Sequence, residues 1–386
     1  MAELGSCLDI RASDISGLRD FALREKIDLT VVGPDDCLAV GVVDEFQGSG
    51  LRIFGPTRTA ALIESSKSFA KELMLRAGIP TAAFSVFTDL DQALSCAETR
   101  KYPLVVKASG LALGKGVVIC HTFEEARVAL RAAMVEKVFG QAGESVIIEE
   151  FLEGQEVSVH AFCDGERAAL FPPAQDHKQA YDGDQGPNTG GMGSIAPVNW
   201  VTREMMDEIK LNIILPVLKA LAKAGSPFKG CLFPGLIYTA EGFKVLEFNA
   251  RFGDPETQSY MRLLESDLLE TMLACAEGRL DENQIKWSGK SAACIVAASQ
   301  GYPGSYEKGY EITGMEEAQK SGAVVFQAGT SSKEGKLLSA GGRVLGITAT
   351  GGDLDSAISQ SYNALSRIYF SGMHYRKDIG KRRAGR

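Results

Sequence analysis

Two stretches of this 386-residue sequence combine residue types suited to phosphate and metal chemistry. The first reads Lys107-Ala-Ser-Gly110-Leu-Ala-Leu-Gly114-Lys115-Gly116. Glycines let backbone N–H groups approach phosphate oxygens, and lysines add charge. The spacing is not that of a P-loop: no Ser or Thr follows the lysine, and the turn is flanked by two strand-like runs instead of a strand and a helix. Those runs, LVVKA at 104–108 and VVIC at 117–120, predict a hairpin with Lys107 reaching inward. Taken alone, such a hairpin is either a plain turn or a cover for a triphosphate. The second stretch is Val245-Leu-Glu247-Phe-Asn249-Ala-Arg251-Phe-Gly-Asp254-Pro-Glu256. Strand alternation predicts Glu247, Asn249 and Arg251 on one face, with Leu246, Phe248 and Ala250 toward the core. A carboxylate and an amide oxygen suit Mg²⁺ or Mn²⁺, and an arginine beside them can grip phosphate or carboxylate. The competing reading is a solvated edge-strand face.

Two further segments carry weaker signals. Ala174-Gln175-Asp176-His177-Lys178 and Gly186-Pro187-Asn188-Thr189-Gly190-Gly191-Met192-Gly193 sit in a polar segment, 172–193, expected to be one long loop. A loop of that length in a compact domain is usually functional or disordered. Glu149-Glu150-Phe151-Leu152, followed by Glu156, reads as a strand end that could place an adenine or could be an ordinary strand end.

The elements that must position these residues follow from periodicity. Strand-like 27–32 and 51–54 with helices near 18–24 and 38–46 suggest part of a parallel α/β sheet. One long amphipathic helix is expected over 57–77, ended by Gly78-Ile79-Pro80. Strands at 104–108, 117–120, 146–151, 157–162, 232–238 and 244–249 follow, with helices over 123–136, 203–222 and 267–276. Pro234 inside CLFPGLIY predicts a kink or an edge. The last hundred residues look separate: strands at 292–298, 323–327 and 344–348, and a helix over 354–368. The boundaries expected are 1–60, 61–285 with a lid lobe at about 82–150, and 286–386.

Composition narrows the function classes. With 41 Lys and Arg against 49 Asp and Glu, the net charge is −8. No basic stripe is present, so nucleic-acid binding is not expected. Eight cysteines occur without a Cys-x-x-Cys pair, which argues against zinc and against a disulfide framework. No apolar run approaches the roughly 20 residues that span a bilayer, and MAELGSCLDIRASD is neither a signal nor a transit peptide. A cytoplasmic, monomeric protein is the expectation.

Taken together and in this order, the motifs resemble the ATP-grasp fold, an α/β architecture with α+β lobes. Within it they are similar to the glycinamide ribonucleotide synthetase family. VVKASGLALGKGV, IIEEFLEGQEVS, PAQDHK, GPNTGGMG, VLEFNARFGDPETQ, GGRVLGITA and HYRKDIG each look like that family's segments. The resemblance covers nearly the whole chain. It implies transfer of the ATP γ-phosphate to glycine, giving glycyl phosphate, which the amine of 5-phosphoribosylamine then attacks. It implies that Lys67 and Lys107 contact phosphates and that the Gly110, Gly114, Lys115 and Gly116 turn closes over them. Glu149, Phe151 and Leu152 are implied at adenine, Glu156 at ribose, and Glu247 and Asn249 on Mg²⁺ or Mn²⁺. Arg251, Asp254, Asp176, His177, Lys178, Asn188, Thr189, Gly190 and Gly191 are implied to position substrates, with Lys107, Arg251 and Asp254 nearest the chemistry.

One departure stands out. The family begins with a strand and a Gly-rich loop ending Arg-Glu-His, implied to bind the phosphoribosyl group. This sequence starts at a later matching point and keeps only the later half of that domain, around Val32-Gly33-Pro34-Asp35, so a partial N-terminal α/β domain and a partial phosphoribosylamine site are expected. A late start codon, a shortened chain or a changed second substrate would each account for it. The alternatives are another ATP-grasp carboxylate–amine ligase, or a nucleotide-binding protein without ligase activity.

Overall fold

The computed structural model describes residues 4–112 and 116–381, so Gly114 and Lys115 lie outside the described residues. Where periodicity predicts one helix over 57–77, there are two, Arg58–Ser65 and Lys67–Ala77. Ser66 breaks them with extended backbone (φ −139°, ψ 100°), and its side chain accepts from Phe69 N–H. A serine that caps its own chain competes with helix propagation. The result is a fresh helix N-terminus, with its positive dipole end, at Lys67. A second expected helix, 203–222, is widened into a π turn at Lys210–Ile214. Pro216 follows directly; it lacks the N–H an α-helical turn needs and crowds the preceding turn.

The first segment contributes a two-stranded parallel pair, Thr30↔Ile53 and Val31↔Phe54, shorter than the runs predicted. Phe54 stacks on Phe252 at 5.7 Å, joining this segment to the Arg251–Glu256 turn.

Strands Phe84–Phe87, Val146–Glu150, Leu104–Ala108 and Val117–Cys120 form one antiparallel sheet in that spatial order. Helices Leu90–Thr99 and Phe123–Met134 cover one face over Leu104, Val106, Val146 and Ile148. Alternation sends Lys107 and Glu149 to the other face. Cross-strand partners are Lys107↔Ile147 and Val105↔Glu149, so Lys107 and Glu149 are diagonal neighbours.

The strand Lys229–Thr239 is central, pairing with Gly242–Asn249 on one side. On the other side it pairs with Gln155–Ser158 at 235–238 and with Ala161–Asp164 at 229–232. Pro234 falls between those two partners, where the ladder changes strand and no donor is missed. It is therefore not an edge, and the pairing irregularity at Gly235/Leu236 comes directly after it.

The sheet of the last hundred residues takes in a strand from the middle of the chain. All nine residues of Ser291–Ser299 are buried, so the strand needs a partner on each edge. Arg343–Gly351 supplies one and Gly193–Ala196, from the middle of the chain, the other. The 172–193 segment is consequently not one loop: it holds strands Gln175–Asp176, Gln179–Tyr181 and Gln185–Asn188, the last two as a hairpin. No helix among the described residues is long and apolar enough to cross a membrane.

Candidate active site

The strand Gly242–Asn249 does not alternate simply. Gly235 faces Glu247 and Leu236 faces Val245, so Leu246 is an extra residue bulged out of the ladder. Val245 and Phe248 face the core, while Glu247 and Asn249 remain on the open face. Leu246 thus does not take the core position expected of it. A bulge frees ladder groups and re-aims side chains: the Leu246 carbonyl accepts from Lys107 Nζ at 3.1 Å, and Val245 O accepts from Thr81 Oγ1 at 2.7 Å.

Glu247 is ringed by cations. Lys178 Nζ lies 3.9 Å from its carboxylate. Against the pull of burial, Lys178, Lys107, Lys67 and Arg251 hold Glu247 below the ordinary carboxylate range, so it is ionised. Asn249 donates its amide N–H to Phe233 O at 3.4 Å, which leaves the amide oxygen as an acceptor. Lys67, at the new helix start, donates from Nζ to Gly110 O at 3.2 Å and from its backbone to Ser109 O. Ser109 Oγ meets Ser68 Oγ at 2.9 Å and accepts Ser68 N–H. Gly110 is packed so closely that a Cβ would lie 2.8 Å from Ala142 Cα, and one at Gly116 would lie 2.8 Å from Ala112 Cβ.

Glu149 is turned inward, contrary to its expected place at adenine. Its side chain is 2% exposed, with Lys71 Nζ 2.5 Å from one oxygen and Lys107 Nζ on the other. Strand alternation is the reason: Glu150 points the opposite way and accepts Ala83 N–H at 2.9 Å. Phe151 and Leu152 are half-buried in the linker to Gln155–Ser158. Glu156 pairs with Lys178 at 3.5 Å.

Arg251 lies 3.2 Å from Glu64 and 3.8 Å from Asp35. Burial pushes Glu64 up to about 7, opposed by Arg251. Asp254 is held by Arg343, Nη2 to Oδ2 at 2.8 Å, and Arg343 Nη1 also donates to Gly190 O at 2.6 Å. Thr189 Oγ1 donates to Lys178 O and accepts Gly191 N–H. Asn188 is exposed on the hairpin, bonded to Gln179 at 3.3 Å. Beneath the loop lie two carboxylates. Burial pushes Asp176 well above its ordinary value, reinforced by Glu256, and burial likewise raises Glu256. Gly191 has φ +106°, and a Cβ there would press on Pro255 and lie 2.6 Å from Asp176 Oδ1. Gly191→Ala is expected to cost about 1–3 kcal/mol of stability. Thermal unfolding checks this, and an unchanged melting temperature would mean that the loop shifts to make room for the Cβ.

His177 does not face the open site. Its Nε2 accepts Gly380 N–H at 3.1 Å and its Nδ1 meets Gly193 O at 3.2 Å, so both ring nitrogens are committed to backbone. Burial lowers its pKa to about 4, with Arg376 adding to the fall. The folded pKa lies below the unfolded value of about 6.5, so the stability His177 contributes is complete above that value and lost as pH falls toward 4. Between pH 7.5 and 4.5 this loss is about 2.5 kcal/mol. Denaturant unfolding of His177→Gln should show a fall smaller by that amount; an equal fall would mean that His177 takes a proton without breaking either bond. Buried His160 plays a similar part. It accepts Gly253 N–H at 3.2 Å, meets Tyr260 Oη at 3.1 Å and stacks 3.9 Å from Phe233.

The structure therefore brings Lys67, Lys107, Lys178, Arg251, Glu247 and Asn249 together, and Asp254, Gly190 and Gly191 beside them. Sequence reading missed Lys71, Glu64, Arg343, Asp176's partner Glu256, and His160. Arg343 lies in the GGRVLGITA segment that carried the resemblance, yet only its reach across to Gly190 and Asp254 reveals a role. Among the described residues no three His, Cys, Asp or Glu side chains form a metal cluster.

Comparison with known proteins gives the family. Residues 65–257 match the model of the phosphoribosylglycinamide synthetase ATP-grasp (A) domain, 292–382 its C domain and 1–64 its N domain. A phosphoribosylamine–glycine ligase of Caldanaerobacter subterraneus is 48% identical over 98% of this chain and 90% of that protein. The crystal structure of phosphoribosylamine–glycine ligase from Thermotoga maritima aligns with a TM-score of 0.78 at 35% identity, over 85% of this chain and 81% of that one. The biotin carboxylase–β,γ-ATP complex from Campylobacter jejuni aligns with a TM-score of 0.73 at 17% identity, over 94% of this chain and 79% of that one; it shares the fold alone.

Proposed function

Because the chain belongs to the phosphoribosylglycinamide synthetase family, we propose that the residues gathered around Glu247 carry that family's ligation. The chain is an ATP-dependent phosphoribosylamine–glycine ligase of purine biosynthesis. It joins glycine to 5-phosphoribosylamine through glycyl phosphate and releases ADP and phosphate. The observation that carries the assignment of residues is the convergence of Lys67, Lys107, Lys178 and Arg251 on Glu247. Phosphoryl transfer asks the protein for charge neutralisation and positioning more than for covalent chemistry.

Lys67 and Lys107 take the phosphates, with the helix start at Lys67 adding its dipole. Ser109 and Gly110 tie that helix to the end of strand Leu104–Ala108. Phe151 and Leu152 border adenine and Glu156 the ribose. ATP-grasp chains work with a divalent cation, and Glu247 and Asn249 fit one: a carboxylate and an amide oxygen are hard donors, two are too few for a cage, and phosphates and water would complete the shell of Mg²⁺ or Mn²⁺. Bound there, the ion would supply charge neutralisation at the transferring phosphoryl group.

Arg251 positions the glycine carboxylate, and the Asp176–Glu256 pair faces the glycine ammonium beneath the Gly190–Gly191 loop. Arg343 and Asp254 set that loop's height. The sheet bearing Lys107 keeps water from the acyl phosphate, which would otherwise hydrolyse.

The test is ADP release with Mg²⁺, ATP and glycine, with and without freshly made 5-phosphoribosylamine, and mass detection of glycinamide ribonucleotide. Product that requires all three substrates is expected. ADP release satisfied by a different amine would replace the acceptor, and nucleotide binding with no product under any amine would sink the ligase reading for this chain.

A further inference from the structure

The contacts around Glu149 leave a question of charge. Its carboxylate lies between two lysines, one on each oxygen, and all three side chains are nearly excluded from water: 2% exposed for Glu149 and Lys71, 7% for Lys107. A carboxylate paired with one lysine is neutral, and a neutral pair offers a phosphate little attraction. Two lysines on one carboxylate leave one net positive charge.

The two lysines are not equivalent. Lys71 lies on the Lys67–Ala77 helix, and its remaining reach is fixed away from the open face: Nζ donates to Thr81 Oγ1 at 2.7 Å, and Thr81 Oγ1 donates to Val245 O at 2.7 Å. Among the described residues, the partners of Lys107 Nζ are Glu149 and the bulged Leu246 carbonyl. We propose that Lys71 is a positioning residue: it neutralises Glu149, so that the Lys107 charge is left for the nucleotide phosphates. Glu149 in turn lets two buried ammonium groups lie close together, which neither would tolerate unpaired. The proposal rests on the assignment of Lys107 as a phosphate contact.

The same carboxylate also ties the lobes. Glu149 belongs to the lid sheet, while Lys71 and Thr81 lead to the Gly242–Asn249 strand that carries Glu247. Lys71 therefore sets both the charge beside Lys107 and the place where the lid sheet meets the metal-bearing strand.

The test measures MgADP affinity of the full chain by calorimetry, with thermal unfolding in parallel, for Lys71→Met, Lys71→Arg, Glu149→Gln, Lys71→Met/Glu149→Gln and Lys107→Met. Lys71→Met should weaken MgADP by about 30-fold, the size of effect seen when one member of a buried charge pair is lost. Lys71→Arg should recover most of it. The double variant restores one net positive charge and should bind within about threefold of the parent, whereas Lys71→Met alone stays weak. Should Lys71→Met not fold, Glu149→Gln decides: the proposal expects nucleotide affinity equal to or above the parent even where the melting temperature falls, and a purely structural role expects affinity to fall with it. A double variant as weak as Lys71→Met, or a folded Lys71→Met that binds like the parent while Lys107→Met does not, overturns the inference and leaves Lys107 in place. Unchanged affinity in Lys107→Met overturns the phosphate assignment itself, and the inference with it.

Discussion

Lys107→Met lowers kcat/KM for ATP by about 10²–10³-fold, the range typical for losing one preorganised electrostatic contact to a reacting group. The strand Leu104–Ala108 forms from sequence alone, but its register against Val146–Glu150 decides where the ammonium goes. It sits on Glu149 and the Leu246 carbonyl, 5% exposed as a residue. An ammonium in so dry a place interacts with phosphate more strongly than one in water. Lys107→Arg should not recover the activity. A planar five-donor fork cannot occupy the space of a point charge set between one carboxylate oxygen and one carbonyl. The fold should survive Lys107→Met, because Lys71 keeps Glu149 paired. Steady-state kinetics with thermal unfolding measure both, and a fall of less than about fivefold, small against that range, would place the phosphates elsewhere.

Glu247→Gln loses both turnover and metal affinity. The expected result is a fall in kcat of about a thousand-fold and a half-saturating Mg²⁺ concentration at least tenfold higher, because a neutral amide replaces the one carboxylate of a two-donor set. The four cations around Glu247 sharpen the effect: without its negative charge, the repulsion of an incoming divalent ion by Lys67, Lys107, Lys178 and Arg251 is less compensated. Rate measurements across a Mg²⁺ and then a Mn²⁺ titration read this directly. A variant with the parent's metal dependence and a lower rate only would remove Glu247 from the metal and leave it a partner of Lys178.

Much of this site was legible in the chain. The Glu-x-Asn-x-Arg pattern, the hairpin ending in glycines and the loop with Thr189, Gly190 and Gly191 name their own chemistry, because metal, phosphate and close backbone approach each restrict the residue types that serve. The hairpin strands also follow directly, since apolar runs between glycines have few other folds. Ser66 was readable as a cap as well, yet the amphipathic period across it is continuous and outweighed one serine.

What the sequence determined by itself is therefore a set of candidate groups and the type of most elements. The tertiary structure decided which of them meet. Glu149 and Glu150 are identical in chemistry, and only the sheet's pleat sends the first between two lysines. Leu246 becomes a bulge, and its carbonyl a lysine acceptor, because Gly235 and Leu236 shift the pairing. Gly193, expected at the end of a loop, instead opens strand Gly193–Ala196, because a fully buried strand nearly a hundred residues later needs a second edge. Contacts such as Arg343 to Asp254 and Lys71 to Glu149 join residues 89 and 78 positions apart. No local pattern encodes such pairs, because they are set by backbone pairing and burial over the whole chain.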